Sequence, residues 1–272
     1  MLAPMSVSRD ADDIALDQAL EALAEGDVEQ ALGHLEDVDP ERGERWTAAV
    51  HAWLELGDHD LAEESLARAQ TKLGSTHPDV LWAEGRLALV RWRLQEARRA
   101  FAGLDPDDEG GPLLENLALL ADLAGEHERA DAYYARASEL DPEGPPPPPR
   151  LTPEEFETVV ARAADELPPE FRAALEETAV VIDPMPTAEL VGAPASGHPP
   201  DILGLFVGLP LAERSSAQAS ELPPTIFLFQ RNIERAARTR EELRDEIRTT
   251  LFHELGHSLG FDEDGVDELG LA

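Results

Sequence analysis

Four alanines, Ala31, Ala62, Ala97 and Ala130, recur at intervals of 31, 35 and 33 residues in a chain of 272. Their surroundings recur with them. Five residues before each stand Gly26, Gly57, Trp92 and Gly125; four after come Leu35, Leu66, Phe101 and Tyr134; seven after come Val38, Ala69, Leu104 and Ala137. A glycine that permits a tight turn, a small residue that lets two helices approach, and a bulky residue one turn later that fills the groove together describe a helical hairpin. A unit that buries its apolar face only against the next copy forces stacking, so this half of the chain is predicted to be a row of helix pairs. Trp92 departs from the turn pattern, which predicts a tighter or shifted third hairpin. Asp39-Pro40, Asp105-Pro106 and Asp141-Pro142 follow three of the four units, where proline ends a helix.

This segment, residues 10–142, resembles the tetratricopeptide repeat, although no unit carries the full consensus; the plainer alternative is a generic alanine-rich bundle. The resemblance implies an α-solenoid whose concave face takes a protein partner. The repeats are themselves acidic, which favours a basic partner. Residues 1–142 are therefore read as a helical repeat domain of four hairpins. Residues 143–150, with five consecutive prolines from Pro145, are read as a stiff polyproline II linker about 15 Å long, and residues 151–272 as a second domain.

The second domain changes grammar. Thr152-Pro153-Glu154-Glu155 starts a helix, with Phe156, Val159, Val160 and Ala163 on its apolar face. A short helix is predicted near 170–176. Ala179–Ile182 and Thr225–Phe229 are predicted strands, and Leu203–Leu209 a third. A helix from Arg240 to Gly260 carries His253-Glu254-Leu255-Gly256-His257 near its end. Histidines four apart share one helix face, so both imidazoles can reach one ion. Glu254 can then take a proton from a water on that ion without occupying a coordination position. His-Glu-x-x-His on a helix is a zinc-protease signature.

With no cysteine in the chain, any metal must be held by His, Asp or Glu. Zinc needs a third protein ligand and an open position for catalysis. Gly260 can turn the chain back toward the metal, and Glu263, three residues on, is the preferred third ligand, with Asp264 next; Asp262, Asp267 and Glu268 complete the acidic group. The repeat histidines are read as surface or packing residues, and His198 as a loop histidine with little prospect of metal contact.

Residues 151–272 resemble the small zincin-like metallopeptidases of bacteria. The likeness runs through Leu151–Phe156, Leu167–Phe171, Val180–Asp183, Gly208–Leu211, Glu213–Ser215, Glu221–Pro224, the strand ending at Phe229, and the HELGHSLGFDEDGVDELG terminus. It implies zinc on His253 and His257, Glu254 as the catalytic acid/base, and an acid at the position of Glu263 as third ligand. It also implies that strand 225–229 is the edge strand above the active-site helix, where an extended peptide substrate could pair. Two features depart from the larger zincins: no methionine follows His257, and no tyrosine follows Tyr134. Oxyanion stabilisation would then fall to the metal or to Arg231, Arg235 or Arg238.

The expected fold is mainly α: a tetratricopeptide-like solenoid followed by a small α+β zincin-like domain. The expected function is zinc-dependent peptide hydrolysis with a protein-interaction arm. The alternative is a catalytically inactive zinc-binding adaptor. A zinc ribonuclease with a related helix is disfavoured by Glu254 and by the charge. A net charge of −35 repels nucleic acid and anionic membrane surfaces. No signal peptide or membrane span is apparent, which leads to the expectation of a cytoplasmic protein.

Overall fold

The computed structural model describes residues 10–210, 223–262 and 265. The chain divides into two units, Met1–Glu109 and Gly110–Ala272, and it is mainly helical, with one small sheet in the second unit.

The first unit holds three helix–turn–helix pairs: α1 (Ala11–Ala24) with α2 (Val28–Glu36), α3 (Gly43–Glu55) with α4 (His59–Leu73), and α5 (Pro78–Val90) with α6 (Leu94–Phe101). Ala31, Ala62 and Ala97 are wholly buried, as a close helix approach requires. Asp27 and Asp58 cap α2 and α4 by accepting from the backbone N–H of Gln30 and Leu61, both at 3.0 Å. The third turn is neither tighter nor shifted, contrary to the expectation from Trp92. Gly57 N–H donates to Leu54 O and Asp58 N–H to Trp53 O (3.1 and 2.9 Å); Trp92 N–H donates to Leu89 O and Arg93 N–H to Ala88 O (2.9 and 2.8 Å). The same hydrogen bonds hold Trp92 at φ 58°, the left-handed conformation that Gly57 adopts at φ 71°. A non-glycine residue there costs on the order of 1 kcal/mol, and the turn is kept regardless.

The fourth pair, α7 (Pro106–Leu123) and α8 (His127–Leu140), begins at a kink: Gly110 at φ 68°, ψ −150° interrupts α7. The division between the units falls at that kink rather than in the proline-rich segment at 143–150. Ion pairs explain why the last hairpin goes with the chain beyond residue 150. Arg231, only 12% exposed, sits 2.9 Å from the buried Asp122 carboxylate of α7 and 2.8 Å from Asp131 of α8. Arg150, which ends the proline run, reaches Asp131 at 2.7 Å and the fully buried Glu234 at 2.8 Å. Glu234 also accepts from Leu151 N–H and from Gln230 Nε2 (3.0 and 2.8 Å). Charges this far from water persist only when paired and hydrogen-bonded, so the network fixes the hairpin in place.

Among its described residues, the rest of the second unit has α9 (Pro153–Glu166), α10 (Pro169–Glu176), β1 (Ala179–Asp183), β2 (Gly204–Val207), β3 (Thr225–Phe229), α11 (Gln230–Ala236) and α12 (Arg240–Leu259). Thr152 caps α9, as the sequence predicts, and Glu155 completes a capping box with it. The sheet order is β1-β3-β2, with β3 parallel to β1 and antiparallel to β2. Residues 225–229 are therefore the central strand and not the edge strand; paired on both sides, they bury Ile226, Leu228 and Phe229 completely. Among the described residues the edge beside α12 is β2. One face of α12, Leu243, Ile247, Leu251 and Leu255 at a spacing of four, closes the core against α9, α10, β3 and α11.

Candidate metal and catalytic site

α12 starts at the Thr239 side chain, which accepts from Glu242 N–H at 3.1 Å, and stops at Gly260, whose φ of 101° reverses the chain. With one helix face committed to the core, the adjoining face presents Glu246, Thr249, Thr250, His253 and His257 to a cavity of about 600 Å³. Its opposite wall is β2 and the segment leading into it, from Ile202 to Phe206. That segment is pinned by Asn232, almost fully buried, whose Nδ2 donates to Pro200 O and Ile202 O at 3.0 and 2.8 Å; Phe229 N–H donates to Leu203 O at 2.8 Å.

The two imidazoles converge. His253 Nε2 and His257 Nε2 are 3.1 Å apart, with the rings edge to face at 83°. Two nitrogens at about 2.05 Å from a tetrahedral zinc are roughly 3.3 Å apart, so the donor pair fits the ion. The Gly260 reversal has a second effect. Phe261 N–H returns to Gly256 O (3.2 Å), and this turns Phe261 O toward His257 Nδ1 at 3.1 Å. A proton on Nδ1 donates to that carbonyl and leaves Nε2 with its lone pair, the tautomer a metal needs.

Glu254 lies beside the histidines and is 7% exposed. β2 passes so near that a Cβ on Gly204 would stand 2.7 Å from Glu254 Cγ and Oε1 and 2.9 Å from Thr250 Cγ2. Only glycine permits that approach. Thus His253, Glu254 and His257 are brought together as the sequence predicts. Glu263 and Asp264 lie outside the described residues, as do Asp267 and Glu268; Asp262 accepts from Gly265 N–H at 3.0 Å. Among the described residues no group of three metal-binding side chains is present.

Three further residues belong to the cavity that sequence reasoning passed over or discounted. His198, read as a loop histidine with little prospect of metal contact, is in its wall; Gly204 shapes it; and Glu246 lines it two turns before His253, half-buried, with its carboxyl pKa raised by burial. The spacing of seven from His253 was a readable signal for Glu246. Among the described residues no arginine lines the cavity, and the three candidates for oxyanion stabilisation stand elsewhere. Arg231 binds Asp122 and Asp131, Arg235 lies 3.6 Å from Asp201, and Arg238 borders a separate cavity with Tyr134 and the prolines. Their charges are used against acids or outside the site.

A family model now carries the likeness beyond the motif. Residues 175–271 match the zincin-like metallopeptidases. No curated protein matches the chain. The zincin-like segment begins within α10 and includes the whole sheet, α11 and α12, which contribute most of the cavity. Among the described residues no helix is long and apolar enough to cross a membrane.

Proposed function

We propose that the second unit is a zinc-dependent peptidase and that the helical pairs preceding it form a tetratricopeptide-like arm that binds a protein partner. The observation that carries this reading is the convergence of His253 and His257 Nε2 atoms beside a buried carboxylate, in a cavity open to a substrate. His253 and His257 would hold zinc, with Glu263 as third ligand and Asp264 as its alternative. Zinc, when bound, supplies the positive charge that polarises the scissile carbonyl and acidifies water. Glu254 accepts a proton from the attacking water at its carboxylate and delivers it to the departing amine nitrogen. The close β2 wall limits the positions that carboxylate can take. An extended peptide can run along β2, among the described residues the edge strand beside the helix, with main-chain hydrogen bonds giving register and alternate side chains facing the cavity. A cytoplasmic setting and a basic partner for the acidic arm belong to the same proposal.

Metal analysis of the purified protein together with peptide-library hydrolysis tests it. Wild type should carry one zinc per chain and cleave peptides; Glu254→Gln should keep the metal and lose at least a hundredfold in kcat. Hydrolysis retained in that variant rejects the assignment.

A further inference from the structure

We infer that the cavity selects a lysine or arginine side chain of the substrate and that Glu246 is the residue that reads it. This deepens the peptidase reading and rests on it. Glu246 and His253 are seven residues apart on α12, so they share a face and are separated by about 10.5 Å along the helix axis. Both side chains lean toward the helix N-terminus, which preserves the offset. The cavity wall facing them is mainly apolar, with Ile202, Leu203, Leu205 and Phe206. An aliphatic stem with a cationic end matches that sequence of surfaces: methylenes against the apolar wall and the charge at the carboxylate.

The alternatives fit less well. A wholly apolar side chain would leave the partly desolvated Glu246 carboxylate facing hydrocarbon, at a cost. An acidic one would meet it as a like charge. A free substrate amino terminus lies one residue, ~3.5 Å, from the bond to be cut, well short of the offset to Glu246. Among the described residues Glu246 has no ion pair and neither lysine nor arginine lines the cavity, so a cationic substrate side chain can supply its counter-charge. The net charge of −35 acts in the same direction by concentrating basic peptides near the surface.

The test uses full-length, zinc-loaded protein and one peptide series in which a single position carries lysine, arginine, norleucine, glutamate or alanine. Cleavage is profiled in wild type and in Glu246→Gln. Binding of the same peptides is measured by fluorescence polarisation on Glu254→Gln, alone and combined with Glu246→Gln. Glu246→Gln is isosteric at a half-buried position, and an unchanged calorimetric melt verifies its fold. Wild type should favour lysine or arginine over norleucine, and Glu246→Gln should reduce that ratio by roughly 10- to 100-fold, chiefly through KM. The binding ratio should fall in parallel. A basic preference that survives Glu246→Gln, a preference only for a free amino terminus, or no discrimination between lysine and norleucine in either assay overturns the inference. Selective binding without hydrolysis would sustain the inference and reject the peptidase reading; hydrolysis without basic selectivity would do the reverse.

Discussion

Replacing Gly204 by alanine tests whether the proximity of β2 to α12 governs the site. The added methyl carbon would stand 2.7 Å from Glu254 Cγ and 2.9 Å from Thr250 Cγ2. Both neighbours are largely buried, at 7% and 5% exposure, and both line the cavity. The clash must be relieved by moving β2 outward or by displacing Glu254. Overpacking of this kind costs about 1–3 kcal/mol. For a unit of this size that is a fall of roughly 2 to 12 °C in its melting temperature. A catalytic carboxylate moved by about 1 Å loses on the order of a hundredfold in rate. Calorimetry should therefore show the second unit's transition lowered, and peptide turnover should drop about a hundredfold, while zinc content stays at the wild-type value because His253 and His257 are untouched. An alanine variant with wild-type melting and wild-type turnover would refute the argument. A lowered melt with full turnover would show that the strand, and not Glu254, absorbs the clash.

The same glycine-to-alanine change should have opposite signs at two places in the first unit, whose four tryptophans make fluorescence specific to it. Gly33 is exposed within α2 with nothing near a new Cβ, so Gly33→Ala should raise stability by about 0.5–1 kcal/mol. Gly57 is equally uncrowded but sits at φ 71°, so Gly57→Ala should lower stability by about 1 kcal/mol in urea titrations. Glu234→Ala removes the acceptor for Arg150, Leu151 N–H and Gln230 and should cost about 3–5 kcal/mol, read as a lower melt of the second unit; Glu234→Gln should cost less. His51 has its pKa lowered to about 4 by burial and then by Arg86. Between pH 6.5 and 4 the unfolded chain binds the proton and the folded one does not, so the first unit loses stability as pH falls through that window. The full displacement amounts to ~3 kcal/mol, and the partly open ring reduces it to ~1–2 kcal/mol. His51→Gln should flatten the fluorescence-monitored stability profile there, and a profile unchanged by the substitution would contradict this.

Local chemistry made much of this molecule legible. The buried alanines, the Asp27 and Asp58 caps, the Thr152 capping box and the bounds of α12 follow from residues within a few positions of one another. So does the meeting of His253 with His257, because a spacing of four on one helix fixes their relation before any packing occurs. The edge-strand reading of 225–229 failed because strand order depends on which segments cover which edge, and β3 takes the preceding strand β2 on one side and the earlier strand β1 on the other. The arginines were equally opaque: each is a plausible anion binder in isolation, and only their distances to Asp122, Asp131 and Asp201 show where the charge is used.

The sequence by itself determined the helical pairs, the changed grammar after residue 150 and the paired imidazoles beside Glu254, since each is set by short-range periodicity, capping and side-chain type. The tertiary structure alone decided that the last hairpin joins the second unit and that His198 and Gly204 share a cavity with the histidines. Those outcomes depend on where residues distant in the chain are brought into contact, and on buried charges and close-packed walls that admit few alternatives.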